Sequence, residues 1–239
     1  MTLTKQETRV ALVTGTRKGL GRALAEHLLT NGWTVAGCSR EAAGWAHVAY
    51  EHHVADVADE AAMVKTVRAV ARQHGRLDVL INNAGLASMN ALALTPATVA
   101  RRLVDVNFLG TFYGIREAAK IMMRQKSGRI INFSTVAAAL NLEGEAIYAA
   151  TKAAVESLTR VAARELASYG ITVNAVGPTP VLTDLTRVVP KAKLAALVAR
   201  QPIARMGEVR DVLNVVDFFL RPESDFITGQ VIYLGGVHG

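Results

Sequence analysis

The chain has 239 residues, 51% of them hydrophobic, which is enough to bury one sizeable core. Its one cysteine, Cys38, excludes an internal disulfide and a site built from several thiolates, and it favours a reducing compartment. The first nine residues are polar without a signal-peptide pattern, and no apolar run approaches the ~20 residues of a membrane span. We therefore predict a cytoplasmic protein with no membrane partner, folded as one domain over residues 1–239.

The formal net charge of +7 favours an anionic partner, such as a phosphorylated cofactor, an anionic substrate or an acidic carrier protein. The Lys and Arg residues are scattered in short pairs, and no basic block with interleaved aromatic residues occurs. General solubility is the simpler interpretation of this charge. We predict no nucleic-acid partner.

Short apolar, β-branched runs alternate with segments of helical periodicity along the chain. This order is typical of βαβ units and predicts an α/β fold, a Rossmann-type doubly wound parallel sheet of about seven strands flanked by helices. The predicted strands are 10–13, 33–38, 47–54, 79–82, 129–133, 172–176 and 230–234. The predicted helices are 20–30, 60–74, 96–126, 145–169, 191–200 and 209–220.

Three features mark how these elements end or connect. Stretch 96–126 exceeds an ordinary globular helix and is apolar on more than one face, so we expect it to be largely buried and allow a break within it. Segment 178–202 carries four prolines and no clear strand, and it is the predicted substrate lid because ligands of this fold bind beyond the carboxyl ends of the strands. Glycines expected to end helices in the left-handed conformation are Gly32, Gly75, Gly128 and Gly170.

A glycine-rich turn lies between the first predicted strand and the first predicted helix. Gly15 suits a tight turn, Gly19 allows a pyrophosphate to approach the backbone, and Gly21 permits close packing of the helix. The amides and dipole at the helix N-terminus favour phosphate. An ordinary glycine-rich connection is the alternative, but the strand and helix on either side favour a dinucleotide site. Its predicted residues are Gly15, Thr16, Arg17, Lys18, Gly19, Leu20 and Gly21.

The Gly-x-x-x-Gly-x-Gly spacing of this turn is the first of four ordered motifs. Asn82-Asn83-Ala84-Gly85 follows the fourth predicted strand, Asn107 lies in the long helical stretch, and Tyr148-x-x-x-Lys152 comes later. In this order the chain resembles the classical short-chain dehydrogenase/reductase family, most of all its 3-oxoacyl-[acyl-carrier-protein] reductases. The resemblance implies an oxidoreductase that moves hydride between a nicotinamide and a carbonyl or alcohol. It assigns cofactor contacts to Asp56, Val57, Asn83, Ala84, Gly85, Tyr148, Lys152, Pro178, Val181 and Thr183. Asp56 has an alternative role as the cap of the following helix.

Carbonyl reduction needs an acid close to the substrate oxygen, and Tyr148 is the predicted proton donor. A free tyrosine has a pKa near ~10, and a cation held nearby would lower it. Lys152 lies four residues after Tyr148 on the same helical face, and we predict that its charge lowers the pKa of Tyr148. The resemblance adds that Lys152 bonds the nicotinamide ribose and that Asn107 joins a proton-relay water. Each residue taken singly has a structural alternative. Tyr148 could be an interface aromatic, Lys152 a solvated helix lysine, and Asn107 a helix amide whose hydrogen bonds are satisfied locally.

The sequence departs from the family pattern at two positions. The family's catalytic serine, thirteen positions before the tyrosine, corresponds here to Thr135, which keeps the hydroxyl donor but adds a methyl group. The neighbouring Ser134 points to the opposite face of a strand, so only one of the two can serve. Thr179 replaces a glycine that usually lets the backbone approach the nicotinamide.

In this fold, the residue at the end of the second strand contacts the adenosine ribose of the cofactor. No carboxylate occupies the tip itself, although Glu41 follows it. Arg40 offers a planar donor fork suited to phosphate, Ser39 adds a hydroxyl and Lys18 a second cation, so we predict NADP(H). Solvated surface charges are the alternative.

The predicted function is NADPH-dependent reduction of a 3-oxoacyl thioester or related ketone to the hydroxy compound, in a homotetramer or homodimer as the resemblance implies. Arg124, Lys126 and Arg129, expected near the site entrance, are compatible with an acidic carrier protein. A small free ketone is the alternative substrate, and a cofactor sensor without turnover the alternative class. We predict no metal, because His52 and His53 alternate on a strand without partner ligands and are read as surface residues.

Overall fold

A computed structural model describes residues 8–181 and 191–238. It contains one parallel sheet of seven strands in the order β3-β2-β1-β4-β5-β6-β7, which confirms the predicted fold class. The strands are β1 Val10–Thr14, β2 Thr34–Ser39, β3 Tyr50–Val54, β4 Val79–Asn82, β5 Gly128–Phe133, β6 Ile171–Gly177 and β7 Val231–Tyr233. From β1 the chain first adds strands on one side, and from β4 on the other. The carboxyl ends of β1 and β4 therefore border the crevice where ligands of such sheets bind.

Helices cover both faces of the sheet. They are α1 Gly19–Thr30, α2 Glu60–His74, α3 Ala97–Leu103, α4 Gly110–Gln125, α5 Val136–Leu140, α6 Ala146–Leu166, α7 Lys191–Ala199 and α8 Val209–Leu220. Successive residues of β1 point to opposite faces, so Leu12 joins the core under α2, α4 and α6, whereas Ala11 and Val13 join the core under α1 and α8. A strand buried on both faces explains the continuous apolar run in the sequence.

Stretch 96–126 is not one helix. A π-helical turn, Val104–Leu109, separates α3 from α4. The helix that follows begins at Gly110, where an added Cβ would lie 3.0 Å from the carbonyl O of Val57. The break lets the chain pack closely on the loop after β3, and π turns of this kind often mark functional sites.

The predicted helix ends are correct at Gly32, Gly75 and Gly170, which all have positive φ. The prediction is wrong at Gly128, the first residue of β5, because Lys126 takes the left-handed conformation after α4 with φ 55°. Gly128 is needed for space, since an added Cβ would lie 2.4 Å from the Sδ of Met122.

Smaller differences concern element bounds. The third strand begins at Tyr50 rather than at residue 47, and the short helix α5 was not predicted. None of the helices in the described part of the chain combines the length and apolar character that a bilayer span requires.

Candidate active site

The glycine-rich turn folds tightly onto the end of β2. The Gly15 amide donates to the Cys38 carbonyl at 2.7 Å, and Gly15 and Gly19 have positive φ. An added Cβ on Gly21 would lie 2.2 Å from the Gly15 carbonyl O, so the turn and the first turn of α1 touch. The N-cap residue of α1, Lys18, makes no capping hydrogen bond through its side chain. The first amides of α1 therefore suit a pyrophosphate group.

The other residues of this turn differ in exposure. Arg17 and Lys18 are exposed at the mouth of the turn, and Leu20 packs against the core. Thr16 is fully buried, with its hydroxyl 2.8 Å from the hydroxyl of Tyr50. Only the backbone of Thr16 can face a cofactor, so its predicted contact does not involve the side chain.

The tip of β2 carries the residues predicted to read the adenosine ribose. The Ser39 hydroxyl donates to the Glu41 carbonyl at 3.0 Å, and Arg40 is exposed. The Glu41 carboxylate pairs with Arg17 at 3.0 Å. The Glu41 carboxylate is thus neutralised by a guanidinium, and Arg40, which also lies near the Asp56 carboxylate, and Lys18 supply further positive charge.

Asp56 and Val57 follow β3. Asp56 pairs with Arg102 at 2.7 Å and accepts the Ala58 amide at 3.0 Å. Burial raises the pKa of Asp56, but these bonds outweigh it and hold the pKa below its ordinary value. The alternative role of Asp56 as a helix cap is wrong, because Asp59 caps α2. Val57 is buried and lines the loop.

The predicted catalytic side chains converge beyond the carboxyl ends of β4 and β5. An added Cβ on Gly85 would lie 3.4 Å from both Asn107 Oδ1 and Lys152 Nζ, so these two groups flank the open space above this glycine. Lys152 is buried and donates to the Phe133 carbonyl at 2.8 Å. Tyr148 is hydrogen-bonded to the side chain of Thr135, which also accepts the Ala137 amide at the start of α5.

Asn107 lies in the π-helical turn and is fully buried. Its amide group donates to the Leu86 carbonyl at 2.9 Å and to Thr151 Oγ1 at 3.1 Å, and its Oδ1 accepts the Leu86 amide at 2.8 Å. Thr151 in turn donates to the Tyr148 carbonyl at 2.7 Å. Asn107 thus ties the loop after β4 to α6. Sequence reasoning missed Thr151, although it lies inside the Tyr-x-x-x-Lys motif.

Burial dominates the acid–base properties of the pair on α6. It raises the pKa of Tyr148 to about 12, which the Thr135 hydroxyl partly offsets and Glu145 reinforces. It lowers the pKa of Lys152 to about 8. The predicted lowering of the Tyr148 pKa by Lys152 is therefore wrong for this structure, because burial of the phenol outweighs the other influences and the lysine amine bonds the Phe133 carbonyl. Tyr148 consequently keeps its proton at neutral pH, as a proton donor must.

A second buried cluster lies behind this pair and was missed. The hydroxyls of Ser134 and Tyr233 both donate to Glu156 Oε1, and Arg160 lies 3.7 Å from the other carboxylate oxygen. Burial, reinforced by Glu156, raises the pKa of Tyr233. Ser134 therefore points away from Tyr148, and Thr135 points toward it. The available signal was the spacing of Glu156, four residues beyond Lys152 on the same helical face.

The segment after β6 accommodates Thr179 without displacing the backbone into the crevice. Thr179 is buried; an added Cβ on Gly207 would lie 2.6 Å from its Oγ1, and one on Gly235 would lie 2.9 Å from its Cγ2. These two glycines make room for the extra side chain. Pro178 accepts the Val136 amide at 3.1 Å, and Val181 pairs with Gly207. Thr183 and much of the predicted lid lie outside the described residues.

The two histidines predicted to lie at the surface are partly exposed and also make specific hydrogen bonds. His52 and His53 are half-buried on β3, where His52 bonds Tyr50 and Ser39 and His53 bonds Glu51. In residues 8–181 and 191–238, no group of three side chains is placed to hold a metal ion.

The basic residues expected at the entrance lie elsewhere. Lys126 and Arg129 lie at the amino end of β5 and Arg124 in the last turn of α4, whereas Thr135 follows the carboxyl end of β5. Within one chain these cations are at the opposite edge of the sheet from the catalytic side chains.

Comparison with known proteins agrees with this geometry. Residues 15–238 match the family model described as enoyl-(acyl carrier protein) reductase. The chain is 40% identical to the 3-oxoacyl-[acyl-carrier-protein] reductase FabG of Staphylococcus aureus, over 96% of this chain and 97% of that protein.

Solved structures show the same architecture. The NADP-bound structure of ElxO superimposes with a TM-score of 0.89 at 29% identity, covering 96% of this chain and 98% of that one. A gluconate 5-dehydrogenase from Burkholderia cenocepacia, in complex with NADP and tartrate, gives a TM-score of 0.88 at 30% identity, covering 95% and 94%. With its parallel sheet, its glycine-rich turn and its Tyr148–Lys152 pair, the chain belongs to the classical short-chain dehydrogenase/reductase family, as an NAD(P)-dependent oxidoreductase acting on CH–OH groups.

Proposed function

We propose that this chain reduces the keto group of a 3-oxoacyl thioester to a hydroxyl group, with NADPH as the hydride source. The observation that carries the proposal is the convergence of a protonated, half-buried Tyr148, the Thr135 hydroxyl and the Lys152 amine beyond the carboxyl ends of β4 and β5. A keto group that becomes an alkoxide needs such donors around its oxygen.

The roles of the side chains follow from their positions. Thr135 and Tyr148 share a hydrogen bond, so both hydroxyls reach one substrate oxygen. The bound cofactor supplies hydride to the carbonyl carbon. Tyr148 gives its proton to the oxygen, and its burial, which favours the neutral phenol, supports the reductive direction. Lys152 is held by the Phe133 carbonyl and would bond the nicotinamide ribose, and Asn107 fixes the loop above which the cofactor would lie.

The residues of the crevice suit a nicotinamide dinucleotide. The first turn of α1 offers uncapped amides, and Gly85 leaves space that a side chain would fill. For the phosphorylated form, the support is the exposed Arg40 and Lys18 together with the pairing of Glu41 to Arg17. The NADP named in two of the similar solved structures agrees with this choice.

The support for a 3-oxoacyl thioester is the name of the Staphylococcus aureus relative reported above. An acidic carrier protein as the donor of the acyl group is part of the same proposal, and the net charge of +7 agrees with it.

We further propose a cytoplasmic homotetramer. Self-association is supported by two exposed apolar residues, Val161 on α6 and Phe226 before β7. Light scattering on the purified protein measures that assembly.

The function is tested by following NADPH and NADH oxidation with a panel of a 3-oxoacyl thioester, a 2-enoyl thioester and small free ketones. Turnover of the 3-oxoacyl thioester with NADPH is expected. Turnover restricted to a free ketone or to the enoyl thioester would overturn the substrate assignment, and equal rates with NADH would overturn the cofactor assignment. Tight NADPH binding without turnover of any member would favour the sensor alternative.

A further inference from the structure

A chain of hydrogen-bonded side chains runs beneath the tip of β2. Thr16 Oγ1 lies 2.8 Å from the Tyr50 hydroxyl, which lies 2.7 Å from His52 Nδ1. His52 Nε2 lies 3.0 Å from Ser39 Oγ and 3.0 Å from the Glu41 carbonyl O. These contacts, which we call the Tyr50–His52 relay, join the glycine-rich turn to the end of β2.

The donors and acceptors of the relay allow one consistent arrangement with a neutral histidine. The Ser39 hydroxyl donates to the Glu41 carbonyl, so Ser39 Oγ accepts from His52 Nε2–H. His52 Nδ1 is then an acceptor for the Tyr50 hydroxyl, whose oxygen accepts from Thr16. Burial lowers the pKa of His52, the Glu41 carbonyl opposes this, and His53 reinforces it, which agrees with a neutral ring.

The surroundings of the relay hold it in place. The ring of Trp45 stacks on Tyr50 with centroids 3.9 Å apart, and its Nε1–H donates to the Thr16 carbonyl at 3.1 Å. An added Cβ on Gly37 would lie 2.3 Å from both Thr16 Oγ1 and the Tyr50 hydroxyl. The relay therefore occupies space that depends on a glycine in β2.

The relay ends on the two neighbours of Arg40. His52 holds the side chain of Ser39 and the backbone of Glu41, whereas the Arg40 guanidinium itself is exposed. A guanidinium binds phosphate best through two parallel hydrogen bonds, and this requires a defined backbone orientation. His52 supplies that orientation from inside the protein.

We propose that Tyr50 and His52 are positioning residues that set the preference of this site for a nicotinamide dinucleotide with an adenosine 2′-phosphate. The proposal rests on the NADP(H) assignment made above. Loosening the Ser39–Glu41 segment weakens contacts to the 2′-phosphate, which NADH lacks. Loss of the relay therefore lowers affinity for NADPH much more than affinity for NADH.

The test measures binding of NADPH and NADH by cofactor fluorescence, without substrate, for His52→Leu and Tyr50→Phe. Tyr50→Phe removes the hydroxyl and keeps the ring that stacks on Trp45, so it serves if His52→Leu fails to fold. His53→Leu is the matched control, since His53 points to the other face of β3 and pairs with Glu51. His52→Gln restores an amide donor and acceptor.

We expect NADPH affinity to fall about tenfold in His52→Leu and in Tyr50→Phe, with NADH affinity unchanged within about twofold. His53→Leu should keep the original ratio, and His52→Gln should recover much of it. An equal loss of affinity for NADPH and NADH would show a merely structural role. An unchanged ratio of the two affinities in both variants would overturn this proposal and leave the NADP(H) assignment standing. A protein that binds NADPH and NADH equally before any substitution would overturn the NADP(H) assignment as well.

Discussion

The two ends of the cofactor crevice place their charged groups in opposite ways. At the adenosine end, Arg17, Lys18 and Arg40 are exposed on turns, and the half-buried neutral side chains of Tyr50 and His52 hold the backbone beneath them. At the catalytic end, the amine itself is buried, and Lys152 is only 5% exposed. The first arrangement suits the proposed recognition of a charge carried by the ligand, and the second shifts the pKa values of the groups proposed to handle a proton. Three predictions test whether this division holds.

The largest effect is expected for Tyr148→Phe at the catalytic end. Removing the phenol removes the proton donor, so kcat should fall by about 10²–10⁴-fold, whereas NADPH binding should stay within about twofold. Steady-state rates and a fluorescence titration measure the two quantities. Tyr169→Phe, at an exposed position after α6, is the matched control. Full activity in Tyr148→Phe would remove Tyr148 from the mechanism.

A smaller effect, on binding alone, is expected for Arg40→Asp at the adenosine end. A carboxylate there repels a 2′-phosphate and removes charge-assisted hydrogen bonds, so NADPH affinity should fall about 10–100-fold and NADH affinity much less. Arg72→Asp makes the same charge change on the exposed face of α2. Similar losses in both variants would mean that net charge, rather than Arg40, attracts the cofactor.

The smallest effect is the pH dependence of stability that the buried groups at the catalytic end cause. The pKa of Lys152 is lowered from 10.5 to about 8, so between these values the unfolded chain binds the additional proton and the free energy of unfolding rises with pH. Lys152 therefore adds on the order of 2 kcal/mol of stability between pH 8 and pH 10 in the ligand-free protein, and the buried Cys38 thiol, whose pKa is raised from 9.0 to about 12, offsets part of this gain above pH 9. Tyr148, with its pKa raised from 10.0 to about 12, acts in the opposite direction above that window.

Urea unfolding at a series of pH values measures this dependence. Lys152→Met should lose the gain between pH 8 and pH 10 and keep only the opposing slope of Cys38 above pH 9, whereas Lys65→Met, at an exposed position on α2, should keep the original curve. A Lys152→Met curve as steep as that of the unmodified protein would show that the buried amine is not the titrating group.

Local patterns were sufficient for most of the fold. Apolar runs identified all seven strands, and the bounds of α2 and α8 agree with the prediction to the residue. The errors fall where packing at long range decides. Lys126 rather than Gly128 takes the left-handed cap because α4 ends at Gln125 and Gly128 already belongs to β5, where it packs against Met122. The π-helical turn that divides 96–126 reflects contacts with Val57 and Leu86, which lie far away in the sequence.

By itself, the sequence determined the fold class, the glycine-rich turn and the spacing of Tyr148 and Lys152. Each of these depends on residues that are close to one another along the chain, within one or two helical turns or strand lengths. Only the tertiary structure decided which groups are buried together. It raised the pKa of Tyr148 where a lowered value was expected, and it turned Ser134 toward Glu156. It also bonded the partly exposed His52 to Ser39 and Tyr50, which the sequence did not predict. Desolvation and hydrogen bonding depend on neighbours that the fold brings together, and local patterning does not contain them.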